Sequence, residues 1–316
     1  MAVTLVLFRS LSGCWVPILL GLRMKKSSPR GSTPSAKKPS TDVTRDSATE
    51  LTQAERRVAK ERTALRAAVI HEAIRAEGAG ELQRPATALS WSGLAAGLSI
   101  GFSFVTSGLL RAHLADTNWR PLVTSFGYSV GFLAVILGRQ QLYTENTLTV
   151  ILPLLTLRDL ATLTNVLRLW SIVLLANLVG ACAFAWALAS FNIFTPEVNS
   201  VFAEIAKAAI SVGWSTLLVR GIVAGWLIAL MVWMMPGADS SRAFIITVMT
   251  YVVALGNFPH GIAGSVDGFF LVARGALSWG SMLGSYLAPV LIGNTIGGVS
   301  LVAFFNHAQV VTEDSL

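Results

Sequence analysis

Beyond Pro85 the chain is written in long apolar runs, and charged residues are so rare that they mark the ends of the runs by themselves. Uncharged stretches cover Pro85–Leu110, Pro121–Gly138, Asn146–Leu157, Leu169–Pro196, Gly221–Ala238, Ala243–Val266 and Gly275–Thr312. About 20 apolar residues carry a helix across roughly 30 Å of hydrocarbon. Pro85–Leu110, Leu169–Pro196 and Gly275–Thr312 therefore each predict one span. The run ending at Ala238 reaches back through Arg220 to Trp214 and predicts another. Two further segments are broken rather than short. Pro121–Leu157 is interrupted by Arg139, Gln140, Gln141, Thr144, Glu145 and Asn146, and Ala243–Phe270 by Gly256, Asn257, Pro259, His260, Gly261 and Gly264.

Polar, irregular backbone at membrane depth is tolerated where it is buried in protein or lines a cavity, and two such breaks in corresponding halves point to a transport pathway. Short echoes along the chain support two halves. Ala96-Gly97 returns as Ala224-Gly225, Leu137-Gly138 as Leu255-Gly256, and Asn177-x-x-Gly180 as Asn294-x-x-Gly297, at offsets of 128, 118 and 117. Three spans followed by three spans place the halves in opposite orientation. The expected architecture is an all-α membrane protein with an inverted 3+3 repeat and broken second and fifth helices.

Composition sharpens this picture. The chain is 53% hydrophobic and 13% charged, where a soluble domain carries about 25% charge. The net charge of +7 is unevenly placed: residues 1–84 hold 15 of the 24 basic and 8 of the 17 acidic residues, so the body cancels at nine against nine. A soluble enzyme, a disordered chain and a nucleic-acid binder are all disfavoured by that distribution. Lys and Arg accumulate on the cytoplasmic side; the short connections do not decide, but the basic tail predicts both termini inside.

Residues 1–84 read as a basic cytosolic tail, partly disordered, that meets anionic lipid headgroups, with a helix over about residues 50–79. Leu51, Ala54, Val58, Leu65, Val69 and Ala73 give that helix a thin apolar stripe, so a solvated helix is expected, with a regulatory plug or partner-binding helix as the other reading. Met24 opens a Lys/Ser/Pro-rich stretch that reads like a start. The channel domain is expected over 85–308 and a short cytosolic tail over 309–316. The two cysteines, Cys14 and Cys182, offer no metal framework. No nucleotide, zinc-protease or nucleophile-elbow motif appears, so neither an enzyme nor a cofactor is expected. Trp91, Trp119, Trp170, Trp214 and Trp279 read as interface anchors.

At the breaks the residues become specific. Phe126-Gly-Tyr-Ser-Val-Gly through Gly138-Arg-Gln-Gln-Leu-Tyr-Thr-Glu-Asn146, Arg220 through Trp233, Asn257-Phe-Pro-His260, and Pro289-Val-Leu-Ile-Gly-Asn-Thr-Ile-Gly-Gly298 resemble successive motifs of the formate/nitrite transporter family. The resemblance covers about residues 85–308. It implies an aquaporin-like six-helix protomer, a homopentamer with one pore per protomer, and passage of small monovalent anions or their weak acids. By the same resemblance the central histidine is His260, the loop threonine Thr144 and the sixth-helix asparagine Asn294. The apolar constrictions fall on Tyr128 and Phe132, and the outer-vestibule lysine near Lys207.

The chain also departs from the family pattern. Gln141 stands at the acidic position before the threonine, with Glu145 just past it; Arg139 replaces a glycine, Pro259 a glutamate, and Gly264 and Gly225 asparagines. These changes mark a divergent branch. Arg139 and Glu145 are expected to pair across the loop, and Arg220 to pair with Asp267 or reach outward. A charged solute is costly in hydrocarbon; basic groups at a mouth concentrate anions, apolar rings hold back hydrated ions, and His260 between them can donate a hydrogen bond or a proton. Two other readings stay open: a pore for a small neutral solute, and a non-transporting membrane protein acting through its basic tail.

Overall fold

The computed structural model describes residues 7–9, 15–17, 65–191 and 193–313 and divides into two units, Met1–Lys60 and Glu61–Leu316. In the first, β1 (Leu7–Arg9) pairs antiparallel with β2 (Trp15–Pro17), Phe8 opposite Val16. The second is helical. Its helices are α1 (Ala67–Leu82), α2 (Ala86–His113), α3 (Arg120–Leu137), α4 (Asn146–Thr149), α5 (Ile151–Leu157) and α6 (Leu160–Ser190). There follow α7 (Pro196–Ile210), α8 (Trp214–Met234), α9 (Arg242–Leu255) and α10 (Gly261–Ala273). The last stretch is one interrupted helix, with π-helical turns at Ser281–Leu287 and Gly297–Phe304 flanking α11 (Ala288–Ile296), and α12 (Phe305–Glu313) at the end.

Among the described residues, five helical stretches are long and apolar enough to cross a membrane: α2, α3, α6, Trp214–Gly237 and Ser281–Thr312. The remaining crossing is the broken pair α9 and α10. Large apolar side chains such as Phe102, Phe126, Leu175 and Trp226 stand on the outer surface, a surface that water would not tolerate over such an area and that lipid or a second subunit would cover. The molecule is a multi-pass membrane protein.

Two small-residue seams hold the halves. On α2, Gly93 and Gly97 lie so close to α6 that a methyl on either would strike Ala176 or the backbone of Asn177; Gly180 presses back on Leu94. On α8, Gly225 meets the backbone of Asn294, and Gly297 presses back on Ile222. Absence of side chains is what lets transmembrane helices approach to backbone contact. The second seam repeats the first at the offsets read from the sequence. Both breaks also begin alike: Gly138 caps the end of α3 and Gly256 that of α9, and the next residues, Arg139 and Asn257, take left-handed conformations with φ of 54° and 50°. That explains why a glycine is the easier residue at 139. Across the interface between halves, Ser129 on α3 donates to the Thr247 carbonyl on α9, and Thr250 donates to Ser129.

The stretch before the first span differs from the solvated helix expected over 50–79. Residues 50–64 lie outside the described residues, and α1 is docked on the bundle. It buries His71, Ile74, Gly78 and Leu82, whereas Leu65 and Val69 of the expected stripe are exposed. Gly78 sits against the Thr149 carbonyl, where a side chain has no room. The buried stripe passes through a histidine and a glycine, which a hydrophobic pattern does not count. At the other end α12 continues through Glu313, past the expected end of the spans at 308.

Candidate functional site: a buried histidine between two cavities

His260 is the last residue before α10, in extended conformation, and caps that helix with its own ring: Nδ1 accepts from the Ala263 backbone N–H at 3.2 Å. An accepting Nδ1 leaves the proton of the neutral imidazole on Nε2. Nε2 lies 2.6 Å from Thr144 Oγ1, so the ring donates to the threonine. Both residues are buried, His260 completely. Phe132 packs edge-on against the imidazole, with ring centroids 4.9 Å apart, and Tyr128 follows it one helical turn away at 5.3 Å.

Two asparagines fix the loops that carry this pair. Asn294 on α11 accepts from the Gly261 N–H at 2.7 Å and donates to the carbonyls of Gly221 and Pro259 at 2.8 and 3.1 Å. Asn177 on α6 accepts from the Tyr143 N–H at 2.9 Å and donates to the carbonyls of Gly93 and Gln141 at 2.8 and 2.9 Å. Each amide ties a broken segment to the two helices beside it. The Tyr143 hydroxyl adds a bond to Thr295 at 2.9 Å, and Trp170 Nε1 donates to the Asn146 carbonyl at 3.1 Å. Trp170 is thus a brace for the first break, where an interface anchor was expected; its half-buried position decides this.

A cavity of 340 Å³ opens on the α7 side of His260. Tyr128, His260, Asp267 and Tyr286 line it, with Arg111 and Arg220. A second, of 850 Å³, lies under α1 and carries Glu77, Arg84, Arg139, Gln141, Glu145 and Arg242 among its walls. The two share no lining residue. His260 lines the first cavity, its partner Thr144 directly precedes Glu145 on the wall of the second, and Phe132 packs on the imidazole; these three residues form the septum.

The structure distributes the remaining candidates as follows. Lys207 is exposed in the last turn of α7 and does not line the α7-side cavity; the cations on that wall are Arg111 and Arg220. Arg220 and Asp267 share the cavity without forming an ion pair within 4 Å among the described residues. Arg139 binds Glu77 of α1 at 3.0 Å, in place of Glu145. The left-handed backbone at Arg139 aims its side chain toward α1, and one oxygen of Glu145 is buried with no hydrogen-bond partner. Gly264, at the family's asparagine position, gives its space to the hydroxyl of Tyr286. The residues that sequence reasoning left out of the site are Asn177, Tyr286, Arg111 and Glu77. For Asn177 a signal existed, its echo in Asn294.

An inverted repeat of half-broken helices, with a buried histidine and aromatic rings separating two polar cavities, defines a membrane channel or transporter. The family described as formate/nitrite transporter matches residues 68–308, and the chain belongs to it. It is 39% identical over 251 residues to the inner membrane protein YfdC of Escherichia coli, covering 79% of this chain and 81% of that one. With the formate channel BtFdhC of Bacillus thuringiensis the identity is 26%, over 74% and 92%. Among solved structures, an FNT family ion channel matches with a TM-score of 0.65 at 20% identity, over 76% of this chain and 98% of that one. A pentameric formate channel with formate bound matches at 0.60 and 19%, over 72% and 98%.

Proposed function

We propose that the chain forms a homopentamer in the bacterial inner membrane, with both termini cytoplasmic, and that each protomer passes small monovalent anions or their weak acids. The single observation that carries this is the septum: a donor pair, His260 and Thr144, set behind the Phe132 ring between two cavities with arginines on their walls. On the α7 side Arg220, without an ion pair among the described residues, raises the local concentration of anions; on the α1 side three arginines stand among three glutamates. The apolar ring strips water, and a stripped anion is too costly to pass as such. Passage as the neutral acid, with hydrogen bonds from the septum to orient it, removes that cost. Thr144 is the adaptable member, since its hydroxyl accepts from His260 and keeps its own proton free to donate. Asn294 holds the loop before α10 and so positions His260. The basic tail lies against anionic lipid and holds orientation.

Uptake of formate, nitrite and lactate into proteoliposomes over a range of pH tests the reading. Faster uptake toward acid pH, and its loss in His260→Ala, are expected. An assembled protein that moves none of these solutes overturns the reading.

A further inference from the structure

We infer that the proton carried with the anion is exchanged by two carboxyl groups, Asp267 on the α7 side of the septum and Glu145 on the α1 side, rather than by His260. This deepens the proposed anion pore and rests on it. The imidazole is committed at both nitrogens: Nδ1 accepts from the Ala263 N–H, and Nε2 donates to Thr144. To hand over the Nε2 proton it would have to abandon Thr144 while still capping α10. The two carboxyls carry no such commitment. Asp267 lies two turns beyond His260 on the same face of α10, with Ala263 and Gly264 between them on the cavity wall. Among the described residues it has no ion pair. Glu145 follows Thr144 directly, lines the other cavity, and has an oxygen buried without a hydrogen bond.

The surroundings of each are mixed. Asp267 shares its cavity with Tyr128 from α3, Tyr286 from the π-helical turn, Arg111 from α2, Arg220 from α8 and His260 from its own segment; on α7, Glu204 pairs with Arg111 at 3.8 Å and Lys207 is exposed. Glu145 shares its cavity with Glu77 and Glu81 of α1, with Arg84 just beyond that helix, with Arg139, and with Arg242 at the start of α9. An incoming anion meets either a carboxylate, which repels it, or a carboxylic acid, which donates a hydrogen bond and then a proton. In the second case the O–H bond of Asp267 breaks and an O–H bond forms on the anion, leaving Asp267 as carboxylate. The neutral acid crosses the septum. Its O–H bond then breaks, the proton passes to the Glu145 carboxylate, and the anion leaves. Water in each cavity restores the starting states, Asp267 taking a proton and Glu145 releasing one. One anion and one proton move together, in either direction.

The test uses the full chain in proteoliposomes with a trapped pH dye and a formate gradient. Wild type is expected to move formate and protons in equal amounts. Asp267→Asn and Glu145→Gln should each slow coupled uptake at least about a hundredfold, the size of a lost general acid, and Asp267→Glu should recover most of it. Thr144→Val should slow uptake while the proton-to-formate ratio stays unchanged. Wild-type rates in both carboxamide variants overturn the inference and leave the anion pore standing. A wild type that moves no formate overturns both. Should Asp267→Asn fail to fold, a hydrophobic carbodiimide on the wild type replaces it. Modification mapped to Asp267 should stop flux and be slowed by formate, and full flux after modification overturns the inference.

Discussion

Asn177 and Asn294 make the same three hydrogen bonds. Each amide oxygen accepts a backbone N–H at the far side of a break, Tyr143 or Gly261, and each amide nitrogen donates to the carbonyl two residues earlier, Gln141 or Pro259. The third bond goes to a glycine carbonyl on the neighbouring span, Gly93 or Gly221. One amide thus satisfies backbone groups that the interrupted helix leaves bare, and unpaired they would be expensive at this depth.

Replacing either asparagine therefore has a common expected effect. Asn177→Ala and Asn294→Ala should each cost about 3 kcal/mol of stability, from several buried groups losing partners at about 1–3 kcal/mol apiece. Unfolding in mixed micelles would measure it. A clear inequality between the two would mean the halves do not share the load.

The glycine seams give a second expectation. Gly97→Ala and Gly225→Ala place a methyl against the backbone of Asn177 and Asn294, and overpacking of this kind costs about 1–3 kcal/mol or more. Gly213→Ala, with nothing within 4 Å of the added carbon, should lose only the glycine preference at the N-cap of α8, about 1 kcal/mol or less. Yield of folded protein and thermal stability in detergent separate the three.

At the septum, Thr144→Val removes the acceptor of a buried N–H, at a cost of about 1–3 kcal/mol, while Thr144→Ser retains it. The serine variant should keep most of the formate uptake and the valine variant lose most of it. Histidine nitrogen shifts in labelled protein offer a second check, since Nε2 of His260 should respond to valine and not to serine.

Docking of α1 divides into a weak and a strong contact. The Arg139–Glu77 pair is 75% and 49% exposed, so Glu77→Gln should change stability by less than about 1 kcal/mol. Gly78→Val, by contrast, has no room against the Thr149 carbonyl and should lift the helix away. Limited proteolysis near α1 would rise sharply in Gly78→Val and hardly at all in Glu77→Gln.

The order of residues alone shows that the chain crosses a membrane, where its two interruptions fall, and that its halves repeat. Each follows from local chemistry: hydrocarbon admits few charges, so charges and helix breakers stand out against the apolar background. The family motifs group His260, Thr144 and Asn294. The tertiary structure decided which partner each charge takes. Arg139 turns to Glu77 because a left-handed residue redirects its side chain, and Lys207 stays outside the cavity because α7 points it outward. It also decided that α1 packs through a histidine and a glycine. Such pairings depend on the directions of side chains brought together from distant segments, and hydropathy along a chain carries no record of direction.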